Sequence, residues 1–337
     1  MISNLTTQIS IKSTIDLAAY DGELVVINGI YGTGKTMLVE EILRPKELER
    51  KSIEAMHFKE EETNKKPLQI MIFSGPYAQS DGVHYIGIES ALNQIKNDQP
   101  NIVIFMGPFI DEKNEHISSG EVKLGGNYLS FHQLMEGIID RIKEATSEFE
   151  GTKIIIQSSP YDALGFNCLP QPPLHIHIKD TEKFICVPNP YLLRVFDFSI
   201  LLCNYDLPSI VSSNTHMLNG KENKISPFEG AAMMMLASGI SYPIFPPFIT
   251  HPIDFGNWED LVLQNAPDVI VMPSVQYLYA NKYKEKSIII NPGSAVKGDK
   301  LGSFATLTIH KMDMSIVKNS SDNQMLDRTR VDILKLK

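Results

Sequence analysis

The chain has 337 residues, 43% of them hydrophobic, enough to build the core of two domains or one large α/β domain. Its formal net charge of −9 argues against a protein whose main task is to coat duplex DNA, because phosphate neutralisation needs clustered Lys and Arg. Cys168, Cys186 and Cys203 are scattered with no CxxC pair, so a reducing compartment is expected rather than a disulfide framework or a zinc ribbon. No apolar run approaches the ~20 residues that span a bilayer, and the opening MISNLTTQISIKS lacks the plan of a signal peptide. The expectation is a soluble nuclear or cytosolic protein.

In chain order, residues 1–44 read as short β: TQISIKS (7–13), ELVVIN (23–28) and TMLVEEI (36–42), with Gly32–Gly34 as a turn signal. Residues 45–67 are dense in mixed charge and predict a solvated linker. From Leu68 the pattern becomes strands alternating with helices. LQIMIFS (68–74), NIVIFM (101–106), KIIIQ (153–157), DVIVM (268–272) and SIII (287–290) are buried-strand runs, each closed by a loop rich in Pro, Gly and Ser. Apolar residues at helical spacing predict helices over 86–95, 129–149 and 227–239. Residues 183–215 read as mostly β, and 304–312 and 330–336 as strands. The fold class is α/β (α+β), a mixed two-layer sheet structure with flanking helices.

Loops at strand ends are where α/β proteins keep their chemistry. Here they hold prolines, serines and occasional carboxylates. His175 and His177 lie on one face of an expected strand with no third ligand nearby, which favours an exposed edge over a metal site. The Met run 233–235 reads as helix core.

One motif points elsewhere. Gly29-Ile-Tyr-Gly32-Thr-Gly34-Lys35-Thr36 matches the phosphate-binding loop GxxxxGK(S/T) after an apolar strand. In that reading Lys35 reaches the β/γ-phosphates and Thr36 holds Mg²⁺. The loop must feed a helix whose N-terminus faces the phosphates. The next residues are MLVEEILRP, which alternate as well as they turn and meet Pro45 early. No strand ends in the carboxylate that would hold the metal. The reading adopted is a hairpin turn, with Gly29, Gly34, Lys35 and Thr36 as a decoy and no cofactor.

Six segments in order carry a resemblance: LQIMIFSGPYAQSD, QPNIVIFMGPFIDEKNEHI, LPQPPL, SYPIFPPF, APDVIVMPS and IINPGSAVKGDKLGSFATLTI. Together they resemble the B subunit of DNA polymerase α–primase over about residues 20–337. The resemblance implies a calcineurin-like phosphoesterase two-sheet sandwich with flanking helices over 68–337, preceded by a partial OB-type barrel over 1–44 and the charged linker at 45–67. It implies that the chain starts too late for the family's N-terminal helical domain and first barrel strands.

A two-metal phosphoesterase needs carboxylates and imidazoles at successive strand ends to hold ions ~3.5–4 Å apart. The active pattern runs D-x-H, GD, NH(D/E), a lone His and GHxH. This chain has Ser74-Gly75-Pro76, Gly107-Pro108, Ser158-Ser159-Pro160 and Asn291-Pro292-Gly293-Ser294, with His216 as one candidate for the lone His. Asp81, Asp111 and Asp162 remain to cap loops. No catalytic or metal residue is expected. The resemblance implies a non-enzymatic scaffold in the nucleus. It would hold the C-terminal zinc-binding region of the DNA polymerase α catalytic subunit, meet the primase subunits through the complex, and touch DNA indirectly. Tyr242, Phe245 and Phe248, among rigidifying prolines, are the candidate partner-binding side chains, with core packing as the competing reading of the same three. The alternatives are an ATPase on Gly29–Thr36 and an active metallophosphoesterase.

Overall fold

The structure is a computed structural model and describes residues 10–13, 17–20, 26–31, 36–43, 46–49, 67–310 and 325–337, apart from short gaps at 121, 125, 177–181, 197, 214, 219–224 and 249. Four N-terminal strands come first: β1 (Ser10–Ser13), β2 (Leu17–Tyr20), β3 (Val26–Tyr31) and β4 (Thr36–Leu43). β3 and β4 are antiparallel with Tyr31 opposite Met37, and β1 adds parallel to β4, giving the order β1-β4-β3.

The segment expected to be a solvated linker begins docked instead. Leu48 N–H donates to the Leu236 carbonyl at 2.7 Å, and the Glu49 carbonyl accepts from Ala266 N–H at 3.0 Å. The Glu47 carboxylate accepts from the Tyr283 hydroxyl at 2.9 Å and pairs with Lys284. The cause is composition at single positions: Leu48 supplies an apolar contact, and Glu47 has two lysines to meet. Residues 50–66 lie outside the described residues.

The main body runs β5 (Leu68–Ser74), α1 (Ile86–Asp98), β6 (Ile102–Met106), α2 (Glu115–Ser118), the hairpin β7 (Lys123–Leu124) and β8 (Asn127–Tyr128), α3 (Phe131–Thr146), β9 (Lys153–Gln157) and β10 (Phe184–Val187). It continues with β11 (Tyr191–Val195), β12 (Phe198–Leu202), α4 (Leu207–Ser213), β13 (Thr215–Leu218), α5 (Pro227–Ser238), β14 (Val269–Val271), β15 (Tyr279–Tyr283) and β16 (Ser287–Asn291). A hairpin of β17 (Val296–Lys297) and β18 (Lys300–Leu301) leads to β19 (Ser303–Ile309) and β20 (Thr329–Lys335). One sheet has the order β10-β9-β6-β5-β19-β20 and the other β11-β12-β14-β16-β15. In the first sheet β10, β9, β6 and β5 are mutually parallel, and β19 and then β20 add on one side, each antiparallel to its neighbour; in the second β12, β14 and β16 are parallel, with β11 and β15 antiparallel at its two edges.

The two sheets pack face to face through one apolar layer. Ile70, Ile72, Ile104 and Ile155 come from the first, and Ile200, Leu202, Val269, Val271 and Ile290 from the second. Because side chains alternate along a strand, Met71, Phe73, Val103 and Phe105 point the other way, into a core with α1 and α3. Ile270, Ile289 and Leu201 likewise meet α4 and α5. Strands buried on both faces must be apolar throughout, which is why these runs stand out in the sequence. The expected two-sheet sandwich with flanking helices is therefore present.

Local signals set the helix ends. Ser130 and Gln133 form a reciprocal capping box at the start of α3. α5 opens with Ser226 as cap and Pro227 in its first turn, and ends at Gly239 with φ 69°. The stretch 183–215, expected to be mostly β, holds β10, β11, β12 and the start of β13, with α4 as a short helix between β12 and β13. Asp206 accepts the Ser209 N–H at 3.1 Å, and Pro208 in the first turn suits a helix start.

Candidate functional site

The loops after β5, β6, β9, β12, β14 and β16 stand at the carboxyl ends of parallel strands, where a catalytic α/β protein would hold its ligands. Here they close on one another. Gly75-Pro76 and Gly107-Pro108 are both cis peptides. A Cβ on Gly75 would lie 2.1 Å from the Pro108 carbonyl oxygen, and one on Gly107 would lie 2.2 Å from Asp162 Oδ2. No side chain fits at either position, so neither can carry a metal ligand.

Asp162 is wholly buried in this contact and accepts three backbone N–H groups. Oδ1 takes those of Phe109 (2.5 Å) and Ile110 (2.9 Å), and Oδ2 takes that of Ser159 (2.9 Å). Burial pushes its pKa up to about 7, while the three donors oppose the rise. Asp111 keeps a smaller local role, accepting the Lys113 N–H at 3.0 Å. Both carboxylates serve backbone, as loop-capping acids do.

Around Asp162 the polar side chains are amides. Asn204 donates to the carbonyls of Gly107 (3.1 Å) and Ser158 (3.0 Å), and its N–H reaches Asn189 Oδ1 at 2.9 Å. Asn189 donates to the Asn204 carbonyl at 3.1 Å and to Gln171 Oε1 at 3.3 Å. Gln171 donates to the carbonyls of Ser159 (3.0 Å) and Phe166 (2.8 Å), and Gln157 to that of Pro188 (2.9 Å). These amides satisfy the carbonyls that the loops would otherwise bury unpaired. They are neutral and poor ligands for a divalent ion. No group of three or more His, Cys, Asp or Glu that could hold a metal occurs among the described residues. The donor set does not fit the two metals of a phosphoesterase.

Beside the network lies His251, 2% exposed, with Nε2 3.3 Å from the Tyr161 hydroxyl and Nδ1 3.0 Å from Thr250 Oγ1. Burial lowers its pKa to about 4, against the opposing charge of Asp206. The rings of Tyr161, Tyr205 and Tyr242 surround it. The amides at 157, 171, 189 and 204 and His251 are the residues that sequence reasoning missed. The only sequence cue is the proline beside several of them.

The other expected positions separate. Gly32–Lys35 lie outside the described residues. Gly29 stands in β3 and Thr36 opens β4, so the segment after the glycine loop is a strand and offers no helix N-terminus to a phosphate. His175 is exposed, and His177 lies outside the described residues. His216 stands in β13 opposite Ala19 of β2. Of the three candidate partner-binding residues, Tyr242 is corrected to core. It is 2% exposed, and its ring packs edge-on against Tyr205 at 5.4 Å. Phe245 is 55% exposed, and Phe248 is partly buried against the core of α4 and α5.

These features define an α/β two-sheet sandwich protein whose strand-end loops are packed shut by glycines, cis prolines, amides and one capped carboxylate. The profile of the DNA polymerase alpha/epsilon B subunit family matches residues 70–280, and the chain belongs to that family. It is similar to the B subunit of DNA polymerase alpha from Schizosaccharomyces pombe, with 27% identity over 95% of this chain and 57% of the relative. It is also similar to those of Drosophila melanogaster (25% identity, 86% of this chain and 44% of the relative) and Dictyostelium discoideum (28%, 74% and 38%). The chain spans about half the length of the curated relatives it matches. Solved structures from Thermus thermophilus and Pyrococcus horikoshii overlap 80% of this chain, and 100% and 88% of theirs, at 8% and 11% identity. Their TM-scores of 0.35 and 0.34 carry no weight beside the geometry above.

Proposed function

We propose that the chain is a non-catalytic accessory subunit of DNA polymerase α–primase, working in the nucleus. It holds the C-terminal zinc-binding region of the catalytic subunit and thereby tethers synthesis to priming. It meets the primase subunits through the complex and DNA only indirectly. The observation that supports this best is the combination of family membership with strand-end loops closed by Gly75, Gly107 and Asp162, where ligands would have to stand. The sheet β1-β4-β3 is read as part of an OB-type barrel that shares in holding the partner. No helix among the described residues is long and apolar enough to cross a membrane.

The test is co-expression with the C-terminal region of the same organism's DNA polymerase α catalytic subunit, followed by size-exclusion chromatography. A stable 1:1 complex is expected, and separate elution would remove the scaffold reading. The competing ATPase on Gly29–Thr36 requires Mg·ATP binding that Lys35→Ala abolishes. With β4 a strand, calorimetric titration is expected to give no binding in either protein.

A further inference from the structure

Between α5 and β14 the chain leaves both sheets in a loop far longer than the ~12–15 residues beyond which such connections are uncommon and usually functional. The loop is closed at its neck. Ser241 N–H donates to the Leu261 carbonyl at 2.8 Å, and Leu263 N–H donates to the Gly239 carbonyl at 2.7 Å. Buried Tyr242, Ile244, His251 and Leu261 anchor its inner side. The backbone is therefore held in place, as in a compact Ω-loop.

Its outer side does the opposite of what burial favours. Phe245, Phe255 and Trp258 are 55%, 61% and 45% exposed. Phe255 and Trp258 sit on the 3₁₀ turn Phe255–Leu261, which Asp254 caps through the Gly256 N–H at 2.9 Å. Trp and other aromatics on a fixed backbone are the usual anchors of protein interfaces. The loop's own charged side chains are one-sided, and the outside cation Lys113 acts on His251 at its inner side. No Lys or Arg stands between Lys224 and Lys282 in the sequence. Glu259 and Asp260, on the same turn as Trp258, are exposed and form no ion pair with a described residue. An acidic surface repels nucleic acid and selects cationic polypeptide.

We propose that this loop docks a basic polypeptide segment of another subunit, setting an apolar side chain against Phe255 and Trp258 and Lys or Arg against Glu259 and Asp260. The proposal rests on the scaffold reading and deepens it, because it names the surface the partner uses.

Trp258 is the chain's one tryptophan, so intrinsic fluorescence reports on this loop directly. The full chain is titrated with the catalytic subunit's C-terminal region, with the primase subunits, and with overlapping peptides tiled across all of them. A basic segment is expected to shift Trp258 emission to shorter wavelength. The variant Glu259→Lys/Asp260→Lys is expected to weaken that binding by about tenfold or more with its circular dichroism unchanged. A complex that forms with Trp258 emission unmoved, or that the charge-reversed variant forms equally well, overturns the loop proposal and leaves the scaffold. A peptide-induced shift without a stable complex supports the loop and removes the scaffold. Absence of both overturns both.

Discussion

At the scale of single residues, Asp162 and His251 bear opposite pH signatures. The slope of stability with pH follows the difference in protons bound by the unfolded and native states. Burial raises Asp162 to about 7, so between its ordinary carboxylate range and that value the native state holds a proton the unfolded state has lost. Its contribution is present at low pH and is lost as pH rises through about 7. Burial lowers His251 to about 4, so between about 4 and its ordinary value near 6.5 the unfolded state holds the extra proton. Its contribution grows as pH rises through that window. The two slopes oppose each other from about pH 4 to 6.5, so the contributions of these two groups to the urea midpoint largely cancel there. Asp162→Asn should uncover a rise with pH, and His251→Gln a fall; identical profiles in all three proteins would refute the assignment. Asp162→Ala is a harsher change, because it strands three buried N–H groups. A loss of about 3 kcal/mol or more is expected in urea unfolding. Gly107→Ala attacks the same contact from the other side, with a Cβ 2.2 Å from Asp162 Oδ2. It is expected to cost about 3 kcal/mol, read in the same experiment.

At the scale of elements, the cleanest prediction concerns α3. Ser130 Oγ accepts the Gln133 N–H at 3.2 Å, while Gln133 Oε1 accepts the Ser130 N–H at 2.9 Å. Ser130 is exposed, so Ser130→Ala removes the cap with little loss of packing. It should cost about 1 kcal/mol by urea unfolding monitored by circular dichroism. A null effect would mean that α3 is held by its buried face alone. The same element shows what could be read without coordinates. Leu134, Met135, Ile138, Ile139 and Ile142 repeat at helical spacing and are the face α3 buries. The runs that became β5, β6 and β9 are apolar on both faces because both faces are covered. α4 was not legible, since seven residues carry too little periodicity and its start depends on Asp206 reaching Ser209. β15, the edge strand Tyr279–Tyr283, reads YANKY, and its exposed Ala280, Asn281 and Lys282 broke the apolar run. At the strand ends, the Gly-Pro pairs were visible as punctuation. The network they close was not, because Gln157, Gln171, Asn189 and Asn204 meet only after β9 and β12 have been placed in different sheets.

At the scale of the whole molecule, the apolar layer between the sheets decides how the protein comes apart. Ile72, Ile104 and Met106 on one sheet face Leu202, Val271 and Ile290 on the other, all fully buried. Neither sheet can lose its partner without exposing this layer to water, at roughly 25 cal/mol for each Å² of apolar surface. The strand-end amides add a second tie, for Gln157 on β9 donates to the Leu202 carbonyl on β12 at 3.2 Å. The segment 46–49, which follows β4, is tied separately to α5 and to β15 of the second sheet through Leu48 and Glu47. Two sheets joined in this way should unfold in one transition. Trp258, on the loop between α5 and β14, reports one end of the molecule, and far-ultraviolet circular dichroism reports all of it. The two urea curves are expected to coincide. Ile290→Ala opens a cavity in the shared layer and should lower stability by about 2–5 kcal/mol, moving both curves together. Fluorescence changing ahead of circular dichroism would mean that the second sheet detaches on its own. The layer would then be a contact between two units rather than the core of one, and a scaffold built on it would present its partner surfaces independently.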